Sequence, residues 1–288
     1  MSTLLLFFDG IGVGNDTPSS NPFAAIDARC LAPLAGRAEE QGARFKPLDA
    51  TLGTPGLPQS ATGQTTILTG VNAAKHAGRH LFGLPGPTLW PLLENESVFL
   101  KMTRADRKPA FANAYTKEHL QADRPRWSAT TRAVMAGGVR LRMVDDEADS
   151  GAALSHDYTG GRMIERGYDV PRLNAEQAAG VLCSLLEEHD FVLYEYFLTD
   201  LAGHRGTWHE KVEQARRVEE LVDAVVGSMY LDRDCLMVTS DHGNLEDATH
   251  KRHTLNPVPL LVWGAQKDAL FGLVHSLEDI TPALMALP

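Results

Sequence analysis

The feature that most constrains the fold of this chain is an uninterrupted apolar run near its first residue. Thr3 to Phe8 reads TLLLFF, a pattern typical of a strand that is buried on both faces of a sheet. Similar runs at Phe191 to Phe197, Cys235 to Thr239 and Pro259 to Gly264 alternate with segments of helical periodicity, such as Ala175 to His189. This alternation predicts an α/β fold with a mostly parallel central sheet and helices on both faces.

One long segment breaks the alternation. We expect further helices at Phe23 to Gln41, Thr88 to Met102, His209 to Tyr230 and Leu277 to Ala286, and strands at Arg44 to Thr51 and Pro109 to Tyr115. Between Thr116 and Arg172 the chain is polar, and it is rich in Gly and Asp from Asp145 to Gly161. This segment also carries many arginines, among them Arg124, Arg126, Arg132, Arg140, Arg142, Arg162 and Arg166. We therefore predict a core of residues 1–115 and 173–288, with residues 116–172 forming a small insertion, or minimal cap, over the strand ends.

The composition is that of an ordinary soluble globular protein, with 288 residues, 43% hydrophobic and 22% charged. The formal charge of -10 argues against a nucleic-acid-binding surface and fits a carboxylate-rich site for divalent metals. Three widely separated cysteines, Cys30, Cys183 and Cys235, favour buried thiols over a disulfide framework or a cysteine metal cluster. The first apolar run is interrupted by Asp9 and is too short for a signal peptide or a membrane span, so we expect a cytoplasmic protein with no membrane partner.

A candidate nucleophile lies in the stretch Ser60 to Gly70, which reads SATGQTTILTG and follows the Gly- and Pro-rich run GTPGLP. The pattern predicts a helix that starts at about Ser60 and ends at Gly70. A hydroxyl at a helix N-terminus lies among free N–H groups that favour an anion, so Ser60 could bind a metal or attack phosphorus. The alternative is that Ser60 or Thr62 only caps the helix.

Carboxylates and imidazoles follow or precede several predicted strands: Asp9, Asp200 with His204, Asp241 with His242, and His253. Singly, each has an ordinary explanation as a turn residue or as a hydrogen-bonded histidine. Together they form a mixed set of oxygen and nitrogen donors at one end of a sheet, which suits zinc or manganese better than calcium. Two such ions can hold a phosphoryl group between them. The glycines after Asp9 do not match a dinucleotide-binding fingerprint.

In combination these motifs resemble the alkaline-phosphatase-like superfamily of metalloenzymes. The shared signatures, in the order of the family, are Asp9-Gly10, Ser60-x-x-Gly63, Asp200-x-x-x-His204, Asp241-His242-Gly243-Asn244 and His253-Thr254-x-Asn256-Pro257-Val258-Pro259. The last two signatures most resemble the branch of cofactor-independent phosphoglycerate mutase and phosphopentomutase. The resemblance covers the chain from Asp9 to the last strand, apart from the insertion, and implies an alkaline-phosphatase-like fold.

The resemblance also implies two divalent metal ions, Mn or Zn. Asp200, His204 and His253 would hold one ion, and Asp9, Asp241 and His242 the other, with Ser60 bridging toward it as the attacking group. A phosphoserine would form and pass its phosphoryl group to water or to a second hydroxyl. Two features depart from or complicate the pattern: Gln64 stands where the mutases usually have a histidine, and His250 competes with His253 for one ligand position.

The small insertion favours a hydrolase that acts on a small-molecule phosphate ester. A mutase must shield a dephosphorylated intermediate from water, which requires a closing lid, and the mutases of the family have longer insertions. For substrate contacts we expect Gln64, Arg79 and, in the sequence Thr159-Gly160-Gly161-Arg162, Arg162; the alternative for the arginines is solvated surface charge. A phosphomutase is the first alternative function. The second is a non-catalytic, metal-dependent protein that binds a phosphorylated metabolite.

Overall fold

The computed structural model describes residues 1–38, 41–122, 126–146 and 151–288. A six-stranded sheet forms the centre of the molecule, and a two-stranded parallel sheet lies beside it. The strands of the large sheet are β1 (Thr3–Phe8), β2 (Arg44–Leu48), β3 (Pro109–Phe111), β6 (Phe191–Tyr196), β7 (Cys235–Thr239) and β8 (Val258–Gly264), and those of the small sheet are β4 (Ala114–Tyr115) and β5 (Arg142–Met143). The large sheet has the order β2-β8-β7-β1-β6-β3.

The direction of the strands determines which loops meet. Strands β7, β1, β6 and β3 are mutually parallel, with Phe8 opposite Tyr196 in β6 and Phe7 opposite Thr239 in β7. Strand β8 runs antiparallel to both of its neighbours, β7 and β2. The amino end of β8 therefore lies at the same edge as the carboxyl ends of β1, β6 and β7.

Helices cover both faces of the large sheet. They are α1 (Ser60–Thr69), α2 (Ala73–Ala77), α3 (Trp90–Glu96), α4 (Val98–Arg104), α5 (Lys117–Leu120), α6 (Ala129–Ala136), α7 (Gly161–Glu165), α8 (Ala175–Glu188), α9 (Leu198–Arg205), α10 (Trp208–Ser228), α11 (Lys267–Leu273) and α12 (Ile280–Ala286). The two longest begin at capping boxes, in which Asn174 and Thr207 each exchange hydrogen bonds with the residue three positions later. Among the described residues no helix is long and apolar enough to cross a bilayer.

The alternating side chains of β1 divide the core into two layers. Leu4 and Leu6 pack with residues of α8 and α10, such as Leu182 and Leu221. On the opposite face Leu5 and Phe7 belong to a second cluster, to which α1, α4, α6 and α12 contribute. The central strands are therefore largely apolar because both of their faces are buried. This architecture confirms the predicted α/β fold.

The helix predicted at Phe23 to Gln41 is wrong over its described part. The chain there forms turns and one short 3-10 helix, Ala32–Ala35, which ends at Gly36 with φ of 68°. The backbone N–H groups of Arg29, Cys30 and Leu31 donate to the carboxylate of Glu219 in α10, so they are not available to a local helix. Local periodicity could not reveal a competing acceptor from so distant a part of the chain.

Two other elements differ from the prediction. The helix expected at Thr88 to Met102 is divided into α3 and α4, because Ser97 adopts an extended conformation and its hydroxyl accepts the N–H of Leu100, capping the second helix. The strand expected at Pro109 to Tyr115 is divided between the two sheets. In the predicted insertion, α6 packs against α1, α3 and α4 and contributes Ala133 to the second core cluster. The boundaries 116 and 172 stay a prediction, and Arg124 lies outside the described residues.

Candidate metal centre

Four segments bring their polar side chains to one edge of the large sheet. Asp9 directly follows β1, and Asp200 lies in the first turn of α9, just after β6. Asp241 and His242 follow β7, and His253 precedes β8 in the chain. Because β8 is antiparallel to its neighbours, a residue before it lies at the same edge as residues after the parallel strands. The topology thus explains why ligands so distant in sequence can meet.

Ser60 is the first residue of α1, and its hydroxyl is directed at this cluster. Its Oγ lies 2.9 Å from Nε2 of His242. The N-cap residue, Gln59, makes no side-chain capping bond, and the hydroxyl of Thr62 donates to the carbonyl of Gln59. The hydroxyls of Ser60 and Thr62 therefore do not cap the helix by accepting its N–H groups. A Cβ at Gly63 would come within 2.8 Å of Asp241, so glycine at this position lets α1 approach the loop after β7.

The first donor cluster consists of Asp200, His204 and His253. The Nε2 atoms of the two histidines are 3.0 Å apart, and they lie 3.4 Å and 3.6 Å from Oδ1 of Asp200. Nδ1 of His204 contacts the carbonyl of Lys251 and Nδ1 of His253 that of Pro58, each at 2.8 Å. A carbonyl only accepts, so Nδ1 carries the proton and Nε2 of each neutral ring presents a lone pair. Two lone pairs at 3.0 Å repel each other unless a cation lies between or beside them.

The second donor cluster is more deeply buried. Nε2 of His242 lies 3.3 Å from Oδ1 of Asp9 and 3.6 Å from Oδ2 of Asp241. Both of these carboxylate oxygens are buried, and the described residues offer them no hydrogen-bond partner. Asp200 also approaches Asp9 and His242 closely enough to share an ion with them. Buried carboxylate oxygens without donors are costly, and a divalent cation bound among them removes that cost, so the residues present fit the metal that the resemblance implies.

The pKa shifts of the cluster also reflect the burial of its charged groups. Burial, followed by the nearby Asp241 and Asp200, raises the pKa of Asp9 well above its usual value. Burial and Asp200 raise the pKa of Asp241 to about 7. Burial and the neighbouring His253, whose ring stacks on His242 with centroids 3.6 Å apart, lower the pKa of His242 to about 3. Without cations, the site therefore disfavours the charged form of each of these groups.

A cavity of about 1060 Å³ opens from the donor clusters toward the predicted insertion. Its lining includes Asp9, Ser60, Gln64, Asp200 and His204 on one side, and Arg126, Arg162 and Arg166 on the other. Gln64 donates from Nε2 to Oδ2 of Asp9 at 3.0 Å, so its amide contacts a candidate ligand. Arg79 is exposed and does not line this cavity. His250 is also exposed and contacts Asp247, whereas His253 is buried in the first cluster.

Sequence reasoning missed Glu195, a buried residue that lines the same cavity. Burial raises the pKa of its carboxyl to about 7, and Oε2 has no hydrogen-bond partner in the part of the chain that the structure describes. The available signal was an acidic residue inside the otherwise apolar strand β6, where a carboxylate is unusual unless it serves a site. His156, which lines the cavity beside it, has a pKa lowered to about 4 by burial.

The family model for the metalloenzyme superfamily matches residues 1–287. The chain belongs to this superfamily. Its curated relatives include the 2,3-bisphosphoglycerate-independent phosphoglycerate mutase of Desulforudis audaxviator, which is 28% identical over 127 residues, covering 42% of this chain and 25% of the relative. The mutase of Saccharolobus solfataricus is 36% identical over 90 residues, covering 31% and 21%. The chain thus spans about a quarter of the length of these relatives.

Two solved structures support the fold over almost the whole chain. The PH0037 protein from Pyrococcus horikoshii superposes with a TM-score of 0.59 at 17% identity, covering 99% of this chain and 95% of that one. The alkaline phosphatase from the Antarctic bacterium TAB5 superposes with a TM-score of 0.53 at 12% identity, covering 99% and 97%. At these identities the likeness establishes the alkaline-phosphatase-like fold alone.

Proposed function

We propose that this protein is a two-metal phosphoryl-transfer enzyme and that it hydrolyses a small-molecule phosphate ester through Ser60. The observation that carries the proposal is the position of the Ser60 hydroxyl at the start of α1, 2.9 Å from Nε2 of His242. It lies beside buried carboxylate oxygens to which no described residue donates a hydrogen bond. A hydroxyl in such a place is suited to nucleophilic attack on phosphorus. Membership of the metalloenzyme superfamily supports a requirement for divalent metal.

The two donor clusters are the proposed metal sites. Asp200, His204 and His253 hold one ion, and Asp9, Asp241 and His242 hold the other together with Ser60. Mixed carboxylate and imidazole donors favour manganese or zinc. When bound, the two ions supply positive charge for the phosphoryl oxygens and lower the pKa of the serine hydroxyl.

The residues of the chain perform the remaining tasks. Oγ of Ser60 forms a bond to phosphorus while the bond from phosphorus to the ester oxygen breaks, which leaves a phosphoserine and a free alcohol. Water then takes the phosphoryl group and regenerates the serine. The first N–H groups of α1 have no side-chain cap and can donate to phosphoryl oxygens throughout. Gln64 holds Asp9 in place through its amide.

The opposite side of the cavity is the proposed substrate wall. Arg162 lines the cavity, and among the described residues its guanidinium has no ion-pair partner. We propose that Arg162 contacts an anionic part of the substrate, with Arg126 and Arg166 nearby. Residues 116–172 form the cap in this proposal. Arg79, outside the cavity, has no place in the substrate site. Cytoplasmic location and the absence of nucleic-acid or membrane partners remain predictions from the sequence.

A phosphomutase is the second candidate, favoured by the sequence similarity to phosphoglycerate mutases. The small size of the predicted insertion favours water as the acceptor instead, because a mutase must retain its intermediate in a closed site. A metal-dependent binding protein without catalysis is the third candidate. A binding function does not explain why the Ser60 hydroxyl lies beside the donor clusters.

The test is release of p-nitrophenol from p-nitrophenyl phosphate and from its diester by chelator-stripped protein supplied with manganese or zinc. We expect activity that requires metal, and the preferred ester will define the substrate class. If neither ester is cleaved by the metal-loaded protein, the hydrolase proposal fails. Isomerisation of phosphoglycerates or sugar phosphates would then establish the mutase, and ester binding without turnover would establish the binding protein.

A further inference from the structure

Glu246 has a buried carboxylate that accepts hydrogen bonds from residues of the signature motifs. Its side chain, 2% exposed, accepts four hydrogen bonds. Oε2 accepts the backbone N–H groups of Gly12 and Asn244, each at 2.8 Å. Oε1 accepts the hydroxyl of Thr254 at 2.5 Å and the side-chain amide of Asn256 at 3.0 Å. Both oxygens are therefore fully engaged, and every donor is neutral.

The four donors come from the loop after β1 and from the single connection between β7 and β8, on which Glu246 itself lies. Gly12 follows Asp9 in the loop after β1, and Asn244 follows His242 at the start of the β7–β8 connection. Thr254 and Asn256 lie near the end of that connection, where Thr254 directly follows His253. One carboxylate thus joins the two ends of the β7–β8 connection to each other and to the loop after β1, which is far away in sequence.

Asn244 extends the connection to the fourth ligand segment. Its side-chain amide donates to Oδ1 of Asp200 at 2.6 Å, while its own backbone N–H is held by Glu246. The backbone reinforces the same arrangement. Leu245 donates its N–H to the carbonyl of Gly10 at 2.9 Å, and Thr254 donates to the carbonyl of Gly243 at 3.0 Å.

Two glycines provide the space that the carboxylate needs. A Cβ at Gly12 or at Gly243 would overlap Oε1 of Glu246, and at Gly243 it would also overlap the hydroxyl of Thr254. Gly243, Thr254 and Asn256 belong to signatures whose ligand residues explain only part of the pattern. Their contact with Glu246 gives these three positions a role of their own.

We infer that Glu246 is a positioning residue, whose carboxylate holds the loop after β1 and the two ends of the β7–β8 connection in the geometry that binds metal. The inference rests on the proposed metal sites. Hydrogen bonds that orient metal-binding groups from outside the coordination sphere typically contribute 10- to 100-fold in affinity. Since the segments that Glu246 holds carry proposed ligands of both donor clusters, its loss weakens both metal sites together.

Glu246→Gln is the decisive variant because an amide has the same shape but only one acceptor oxygen. In one orientation its NH₂ group faces the backbone N–H groups of Gly12 and Asn244, which cannot accept. In the other it faces Thr254 and Asn256, both of which would have to reverse their present hydrogen bonds. Either way at least one of the four hydrogen bonds is lost or must reform with donor and acceptor exchanged.

The chain offers a matched control in Glu219. This glutamate of α10 is also buried, 8% exposed, and its carboxylate accepts three backbone N–H groups, from Arg29, Cys30 and Leu31. It does not line the cavity. Glu219→Gln therefore reproduces the loss of stability that follows when a buried, hydrogen-bonded carboxylate is replaced by an amide. It leaves the loops that carry the proposed metal ligands unchanged.

The experiment is calorimetric titration of Mn²⁺ into chelator-stripped parent, Glu246→Gln and Glu219→Gln, with the melting temperature of each metal-free protein measured in parallel. We expect the dissociation constant for every bound ion to rise at least about tenfold in Glu246→Gln. In Glu219→Gln it should stay within about twofold of the parent, because distant sites act independently. Both metal-free variants should melt at lower temperature than the parent.

Equal metal affinity in Glu246→Gln and the parent would overturn the inference, even if the variant melts early. If Glu246→Gln does not fold, Thr254→Val replaces it, since it removes one of the four hydrogen bonds and keeps the side-chain shape. We expect this variant to bind Mn²⁺ about threefold more weakly, and unchanged affinity would refute the inference. A parent protein that binds no Mn²⁺ or Zn²⁺ would refute both this inference and the proposed function. If the parent binds metal and Glu246→Gln binds it with equal affinity, only the inference about Glu246 is refuted.

Discussion

The two walls of the cavity differ in how firmly their side chains are held. On the core wall, Asp9 lines the cavity and contacts His242, which is buried together with Asp241, and backbone or side-chain contacts restrict the orientation of all three. On the opposite wall, Arg126 and Arg162 are exposed, and their guanidinium groups have no ion-pair partner among the described residues. A rigid wall of carboxylate and imidazole groups, whose negative charge has no cation beside it, suits fixed metal ions and one reaction geometry. A wall of exposed arginines suits substrate recognition, because these residues can change without loss of the fold.

This difference predicts a separation of effects. Substitutions on the core wall should alter metal binding or the maximal rate, while substitutions on the opposite wall should alter the apparent affinity for substrate. The largest expected effect belongs to Ser60→Ala. Loss of the attacking oxygen should reduce kcat for p-nitrophenyl phosphate at least about a thousandfold, while metal content changes little because six other ligands remain. Activity close to that of the parent would show that Ser60 is not the nucleophile.

Next in size is the effect of Asp241→Asn. The loss of a ligand charge should weaken Mn²⁺ binding by more than about a hundredfold, as measured by calorimetry on chelator-stripped protein. Equal affinity would remove Asp241 from the proposed metal site.

The same variant makes a pH-dependent prediction for the metal-free protein. Burial raises the pKa of Asp241 to about 7 in the folded state, against about 3.9 in an unfolded chain. Between these values the folded state holds a proton that the unfolded state releases, so the stabilising contribution of this group is lost as the pH rises from about 4 to about 7. Asparagine has no proton to lose. Without metal, Asp241→Asn should therefore gain melting temperature relative to the parent as the pH rises across this window, and a difference independent of pH would contradict the assignment.

A smaller effect is expected for Gln64→Ala. The amide of Gln64 holds Oδ2 of Asp9 at 3.0 Å, so its removal should weaken metal binding or lower kcat by about tenfold. The KM for p-nitrophenyl phosphate in the fully metal-loaded protein should change less than kcat. A rise in KM alone would show that Gln64 contacts substrate rather than orienting a ligand.

The smallest effect is expected for the solvated wall. Arg162→Ala should raise KM for a phosphate ester that carries a second anionic group by about fivefold, with little change in kcat, because exposed ionic contacts are weak. Arg79→Ala is the matched control, an exposed arginine outside the cavity, and should leave both constants unchanged. If the two variants behave alike, the proposed substrate wall is wrong.

The sequence was most informative where a function depends on the ends of strands. Asp9, Asp200 and Asp241 could be placed at one edge because continuous apolar runs predict parallel strands, and parallel strands share an edge for their carboxyl ends. The arrival of His253 at the same edge depends on the antiparallel direction of β8, which periodicity does not reveal.

The sequence was least informative where partners are distant in the chain. The turns at residues 29–31 are determined by Glu219, and Gly12, far from Glu246 in sequence, meets three nearby donors at its carboxylate. In both cases the contact between distant parts of the chain is visible only after folding. The division of the helix at Ser97 is a local event, and its signal, a serine able to cap the next turn, was present in the sequence.

The most direct test of the central claim is to identify the phosphorylated residue in protein that is quenched with acid during turnover. Manganese-loaded protein would be mixed with excess p-nitrophenyl phosphate, quenched, digested and examined by mass spectrometry, with Ser60→Ala as the control. We predict a phosphate adduct on the peptide that contains Ser60, dependent on metal and missing in the control. A protein that turns over its ester while the adduct lies on another residue, or persists in Ser60→Ala, would contradict the account.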